Sequence, residues 1–391
     1  MNTIPLRFLG DLPVEAFLRD YWQQKPLFIK NALGDWKAPL DGGDIAGLAL
    51  EESVESRLII EKTTSNPLKS QWKMEHGPID EERFDTLPEN HFTILVQALD
   101  QMCPEVHALL NQFRFIPNWR LDDVMASVAP TGGSVGPHFD YYDVFLLQAT
   151  GTRQWKIGQT CNAQSPLQDD CPLKILTDFD TQAEYTAEAG DLLYIPANVA
   201  HWGVSQSDDC TTYSIGFRAP SYSDILLELS QELASQLSND VRYRDQANGF
   251  SDNANYNPGE IPHAVAREIA ERCQALFTPE KVAAWLGKYL TEAKRDTPEI
   301  TTSESEPEAM VLAVNARAAY TQADASNNPI LATVFINGQS WRVSLALAQK
   351  ICSYTTICPS DYPQADQTAI NEWIENDYLN LPNTTDSCTN D

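Results

Sequence analysis

Two stretches far apart in the chain, Gly132 to Ile157 (GGSVGPHFDYYDVFLLQATGTRQWKI) and Gly190 to His201 (GDLLYIPANVAH), constrain its fold more than anything else in the sequence. In the first, His138 and Asp140 flank a single residue. An extended strand projects alternate side chains to the same side, so one imidazole and one carboxylate are aimed at one spot. Two ligands hold a metal poorly. The third candidate is His201, which closes the second stretch after a strand and a tight turn. The chain must therefore carry two strand-borne motifs to a common point. Short strands bounded by turn residues, with no alternating helical pattern between them, predict a mainly β double-stranded β-helix, or jelly roll, running to about Pro220.

Two histidines and one carboxylate cover one face of an octahedron and leave the opposite face open, the arrangement associated with non-haem Fe(II) oxygenases. A His-x-Asp pair alone is a weak signal, and its surroundings strengthen it. Gly132 precedes His138-Phe139-Asp140, and Gly190, Pro196 and Asn198 precede His201, which together resemble the two motifs of the cupin and jelly-roll family. Asp140 departs from that family by standing where it has a second histidine, and the place of its glutamate holds the apolar Val144 or Phe145. Asn198 stands where glycine usually turns the chain, and asparagine reaches left-handed backbone more easily than other residues with a side chain. These changes point away from a three-histidine-plus-glutamate cupin and towards a His-Asp-His oxygenase.

Asp143 to Gln148 and Arg153 to Ile157, separated by Ala149-Thr150-Gly151-Thr152, read as two strands of a hairpin. On the second, Arg153, Trp155 and Ile157 share one face and Gln154 and Lys156 the other. The arginine thus falls on the apolar face, where a guanidinium, which cannot lose its proton, is seldom found unless an anion meets it. Two anions satisfy that requirement: a protein carboxylate in a buried ion pair, or the distal carboxylate of 2-oxoglutarate.

GPHFDYYDVFLLQATGTRQWKIG, GDLLYIPANVAHWG and Tyr213 to Pro220 (YSIGFRAP), together with Phe17, Tyr21-Trp22 and Lys25-Pro26-Leu27-Phe28, resemble the bacterial ribosomal oxygenases. These are JmjC-type 2-oxoglutarate enzymes that hydroxylate an arginine in a large-subunit ribosomal protein. The resemblance implies Fe(II) ligation by His138, Asp140 and His201, with 2-oxoglutarate held by Arg153. It also implies a cofactor or substrate contact from Ser127, inside Asp122-Asp123-Val124-Met125-Ala126-Ser127-Val128. The implied substrate is a basic ribosomal protein, the sixteenth of the large subunit, and the implied assembly is a homodimer. The metal motif itself does not specify the target side chain. A histidyl hydroxylase or demethylase of the same chemistry is therefore a rival reading, as is a non-catalytic, metal-binding cupin module; a structural metal site would have no need of Arg153.

A chain of 391 residues suggests two or three domains. No stretch approaches the roughly 20 apolar residues of a membrane span, and the N-terminal residues mix Arg7, Asp11, Glu15 and Arg19 among the apolar ones, unlike a signal peptide. A cytoplasmic protein is expected. The eight cysteines are scattered without a C-x-x-C pair, which argues against structural zinc and predicts free thiols. A net charge of -28 disfavours a large nucleic-acid footprint and favours cationic partners. Solubility alone would account for that charge, and only the family resemblance connects it to a basic substrate.

Residues 1–220 form the expected JmjC or cupin-like catalytic domain. From 221 to 293 the pattern turns helical. Ile225, Leu226, Leu229, Leu233 and Leu237 fall at helical spacing after Ser223, read as an N-cap, and further helical patterns cover Ala264 to Leu276 and Val282 to Leu290. The resemblance makes this a dimerisation region. Residues 294–308 (KRDTPEITTSESEPE) read as a linker. In 309–391, Asn337-Gly338 between two β-rich runs predicts a hairpin. Helical patterns at Ala309 to Tyr320, Leu345 to Tyr354 and Ala369 to Leu379 give this part a winged-helix-like appearance. Lysine and arginine are sparse there and phosphate binding needs them, so a protein-interaction or stabilising module is expected, with no direct nucleic-acid binding. Thr384 to Asp391 read as a disordered tail.

Overall fold

The computed structural model describes residues 9–34, 36–244, 259, 261–293, 309–322 and 331–381. The expected linker, the expected tail and most of the Asn- and Asp-rich polar segment from Ser238 to Pro258 lie outside the described residues.

Helix α1 (Val14–Asp20) begins after Pro13, whose fixed φ suits the entry to a first turn, and buries Phe17 completely. Strand β1 (Leu27–Ile29) follows, then α2 (Gly42–Leu48), capped reciprocally by Asp41 and Asp44. Next come β2 (Ser56–Lys62), β3 (Gln71–His76), the short α3 (Glu81–Phe84), β4 (Phe92–Val96), α4 (Pro104–Leu109) and β5 (Leu121–Ala129). The second half of the barrel comprises β6 (Val144–Thr150), β7 (Thr152–Thr160), β8 (Ala183–Glu188), β9 (Leu192–Ile195), β10 (Val199–Ser205) and β11 (Cys210–Phe217). They assemble into an eight-stranded sheet in the order β1-β9-β6-β11-β5-β4-β2-β3 and a three-stranded sheet in the order β10-β7-β8.

Alternation along β6 explains how the two sheets enclose a site. Phe145 and Leu147 point outward into a core with Phe17, Tyr194, Tyr213 and Phe217. Within it the Phe17 and Tyr194 rings meet edge to face at 5.1 Å. Val144 and Leu146 point inward, towards Trp155, Ile157 and Leu193. The expected jelly roll is therefore present, as antiparallel sheets packed face to face.

The hairpin expected from β6 and β7 is not. Strand β6 pairs with β9 and β11, and β7 with β8 and β10. Gly151, at φ 65°, carries the chain from one sheet to the other, and a Cβ there would fall 2.3 Å from Ser207 Oγ. Alternation identifies strands without identifying their partners, and a short glycine turn serves a sheet crossing as well as a hairpin.

After the barrel come α5 (Tyr222–Ser235), α6 (His263–Gln274) and α7 (Pro279–Thr291). The cap of α5 is Ser221 and not Ser223. Ser221 Oγ accepts from Asp224 N at 3.0 Å while the Asp224 carboxylate accepts from Ser221, and only this register places an acid at the third helical position. Leu229 and Leu233 are buried against Trp285 of α7. Helix α7 also packs on the C-terminal sheet, so closely that a Cβ at Gly287 would fall 2.3 Å from the Phe335 ring.

The C-terminal module contains β12 (Val311–Leu312), β13 (Ala318–Gln322), β14 (Leu331–Ile336), β15 (Gln339–Ser344), α8 (Leu345–Cys352), α9 (Gln364–Glu375) and β16 (Leu379–Asn380). The Asn337-Gly338 hairpin is as expected, with φ of 45° and 81° at its two turn residues. Residues 309–320, expected as a helix, instead supply β12 and the start of β13, which pair with β16 and β14. The alanine-rich run suits either state, and pairing with distant strands decides it. The winged-helix likeness is thereby reduced to a hairpin followed by two helices.

Among the described residues six cysteines are free thiols, as expected, but Cys358 is disulfide-bonded. Bonding depends on the fold bringing two sulphurs within reach, which local spacing does not report. No helix among the described residues is long and apolar enough to cross a membrane.

Candidate metal centre

His138 lies on the segment between β5 and β6, and not within a regular strand as expected. Gly136, at φ 78°, and Pro137, without an N–H, interrupt any ladder there. A single antiparallel bridge replaces it: His138 N donates to His201 O at 3.0 Å and His201 N donates to His138 O at 2.8 Å. Asp140 is tied to the second motif by Asn198 N, which donates to its carbonyl at 2.7 Å. Asn198 takes the left-handed conformation expected of it, at φ 66°.

The two motifs thus converge. The ligand atoms of His138, Asp140 and His201 all lie within 4.8 Å of one another, a cluster that could hold a metal ion. Asp140 Oδ2 is 3.9 Å from His138 Nε2 and 3.6 Å from His201 Nε2. Each imidazole is oriented by its other nitrogen. His138 Nδ1 lies 2.9 Å from Gly136 O and His201 Nδ1 3.0 Å from Val199 O; a carbonyl only accepts, so both Nδ1 atoms donate and both Nε2 lone pairs face the centre. Burial, reinforced by the neighbouring His138, lowers the pKa of His201 to about 4, which keeps that imidazole neutral as a ligand must be.

The triad opens onto a cleft of about 390 Å³ that also contains Arg153 and Ser127. Arg153 is 3% exposed, on the inward face of β7 beside Trp155 as the alternation predicts. Its Nη2 reaches Ser127 Oγ at 3.5 Å, and its buried Nε has no partner. Among the described residues no carboxylate pairs with it. Ser127 itself is buried, with its hydroxyl 3.5 Å from Thr212 O.

Among the cleft residues not singled out in the sequence are Asp122, Asp123 and Tyr142. Two consecutive carboxylates can both line one cleft because β5 bulges there. Leu121 stands opposite Phe217 and Val124 opposite Ile215, leaving both aspartates across from Gly216. Asp122 Oδ1 accepts from Arg218 Nε at 3.2 Å and Asp123 Oδ2 from Ala98 N at 3.1 Å. The Asp140 charge raises the pKa of Tyr142 above the usual range and keeps its hydroxyl protonated. The available signal was an acidic pair opening an otherwise apolar strand.

A jelly roll that brings two histidines and an aspartate to the floor of a cleft is the architecture of a JmjC domain, and residues 108–225 match the JmjC domain family model. The chain belongs to the JmjC-domain ribosomal oxygenases. It is 31% identical over 288 residues to the ribosomal protein uL16 3-hydroxylase of Escherichia coli strain K12, covering 72% of each chain. It is 43% identical over 223 residues to a probable ribosomal oxygenase of Haemophilus influenzae; that match covers 57% of this chain and 54% of the relative, about half its length. The solved structure of YcfD, a ribosomal oxygenase from E. coli, in complex with cobalt and succinic acid superposes with a TM-score of 0.72. That match is 25% identical and covers 94% of this chain and 98% of the other.

Proposed function

We propose that the protein is an Fe(II)- and 2-oxoglutarate-dependent oxygenase that hydroxylates an arginine of a large-subunit ribosomal protein. The observation that carries this reading is the coincidence, in one cleft, of a His-Asp-His cluster, a buried arginine without a counter-ion and an acidic pair. His138 Nε2, an Asp140 oxygen and His201 Nε2 would hold the Fe(II). Arg153, with Ser127 beside it, would receive the distal carboxylate of 2-oxoglutarate, and its orphaned Nε fits that anion. When bound, Fe(II) and 2-oxoglutarate supply, with O2, the oxidation of an unactivated C–H to C–OH, with succinate and CO2 as co-products.

The share of this chain is placement. His138, Asp140 and His201 would hold the metal from one side, and Arg153 would fix the cosubstrate. Val144, Leu146 and Trp155 provide apolar wall around it. Asp122 and Asp123 attract a cationic side chain into the cleft, so that one of its methylene carbons can lie over the open face. No side chain has to remove a proton for that bond to break. The acidic pair favours arginine over a neutral imidazole, and the name of the E. coli relative supports uL16 as the protein that carries it.

This reading places the protein in the cytoplasm, where ribosomal proteins are made, without direct nucleic-acid binding of its own. It also makes the protein a homodimer, assembled through the helical region. Leu226 and Leu227 of α5 are 60% and 62% exposed and offer the apolar surface for that contact.

His138→Ala, Asp140→Ala and His201→Ala are each expected to abolish conversion of 2-oxoglutarate to succinate while leaving the circular dichroism spectrum unchanged, because the barrel core forms without them. Near wild-type succinate production by any of the three, with Fe(II) supplied, contradicts the assignment.

A further inference from the structure

We propose that Arg317, from the C-terminal module, is a positioning residue for substrate recognition: it grips the start of β5 and so aims Asp122 and Asp123 into the cleft. The inference rests on reading that acidic pair as the receiver of the arginyl side chain.

At the bulge, Asp122 and Asp123 together stand opposite Gly216, so the regular ladder lapses there. Two side chains from outside the strand hold the backbone on either side of the gap. Val124 N donates to Asp100 Oδ1 at 2.7 Å, and the carbonyl of Asp122 accepts from Arg317 Nη2 at 3.1 Å. The same Nη2 donates to Asp100 Oδ2, which joins the two grips into one unit. Arg317 and Asp100 are both buried, so water does not compete for these bonds.

Arg317 is itself held from the module. Its backbone N–H donates to Asn337 Oδ1 at 2.9 Å, in the β14–β15 turn, and the next residue of that turn, Gly338, donates to Thr291 Oγ1 of α7 at 3.1 Å. The end of α7 also serves the carboxylate of Asp122. Arg218, which donates to that carboxylate, is anchored by its Nη1 on Leu290 O at 2.6 Å. The carbonyl of Asp122 is therefore fixed from the C-terminal module and its carboxylate, through Arg218, from the end of α7, whereas the metal cluster and Arg153 belong to β7, β10 and the His138 segment, and Ser127 lies farther along β5 where its pairing with β11 is regular. Loosening Arg317 should misplace the acidic pair and leave the cosubstrate pocket as it is.

The test measures steady-state kinetics of the full-length enzyme, loaded with Fe(II), on an arginine-containing peptide of the large-subunit protein. Arg317→Met is expected to raise KM for the peptide about tenfold or more, with KM for 2-oxoglutarate and kcat nearly unchanged, and Arg317→Lys to recover most of the loss. Because Arg317→Met leaves Asp100 buried and unpaired and can fail to fold, Asp100→Asn/Arg317→Met is measured beside it. The double variant keeps an acceptor for Val124 N and is expected to show the same KM effect. Wild-type peptide KM in the folded double variant overturns the inference, as does a loss in which both KM values and kcat worsen together. Wild-type enzyme that makes succinate but leaves the arginyl peptide unoxidised overturns the substrate reading, and this inference with it.

Discussion

Arg153 and the Asp122-Asp123 pair face one cleft with opposite charges, and the contrast between them says what each can receive. A guanidinium that has lost its water and gained a long contact to a serine and the face of Trp155, with no carboxylate beside it among the described residues, is a site for a carboxylate. Arg153→Ala is expected to raise KM for 2-oxoglutarate by roughly two orders of magnitude, about 3 kcal/mol, because the cosubstrate carboxylate is then left in an apolar pocket. Metal affinity, followed by Co(II) titration, should stay within a few fold. Unchanged dependence on 2-oxoglutarate would return Arg153 to a purely structural role. Its place was legible in the sequence, since alternation along Arg153-Gln154-Trp155-Lys156-Ile157 sets the arginine on the apolar face. The triad was legible because His138 and Asp140 are spaced for one face of an extended segment and His201 closes a second strand-and-turn motif. Asp122 and Asp123 were not, because a bulge that turns two adjacent side chains into one cleft depends on β11 and has no signature in β5 itself.

Between elements, the contact of α4 with the C-terminal module has a pH dependence. His107 of α4 is buried against Tyr354, ring centroids 4.9 Å apart, with Nδ1 donating to Asp100 O at 3.3 Å. Burial, with Arg317 acting in the same direction, lowers its pKa to about 4, against about 6.5 in the unfolded chain. The folded state thus holds the imidazole neutral while the unfolded state takes up a proton. The associated stability is complete above about pH 6.5, and roughly 3 kcal/mol of it is lost as the pH falls to about 4. Urea denaturation of His107→Gln between those limits is expected to lack this share of the decline. Parallel wild-type and variant curves would refute it. This contact was beyond the sequence, as were the true partners of β6 and β7 and the strand state of 309–320. Periodicity names an element, and the residues it meets across the chain decide where it goes.

For the whole molecule, a net charge of -28 surrounds a cleft that itself carries carboxylates, so capture of a basic protein should be fast and should slow as salt rises. Assembly is a second property at this scale. Leu229 and Leu233, part of the stripe in the expected dimerisation region, are buried inside the chain against α7, and Leu226 and Leu227 remain exposed. If the proposed homodimer forms through this face, Leu226→Glu/Leu227→Glu is expected to shift it towards monomer in light scattering without lowering the melting temperature. A wild-type protein that is already monomeric at micromolar concentration would refute the dimer. The central claim, an oxygenase acting on an arginine, is tested most directly by incubating the enzyme with Fe(II), 2-oxoglutarate and the sixteenth protein of the large ribosomal subunit, then mapping the product by fragmentation mass spectrometry. The predicted result is one added oxygen atom on a methylene carbon of an arginine. Oxygen found on a histidine, or methyl groups lost with no oxygen gained, would contradict it.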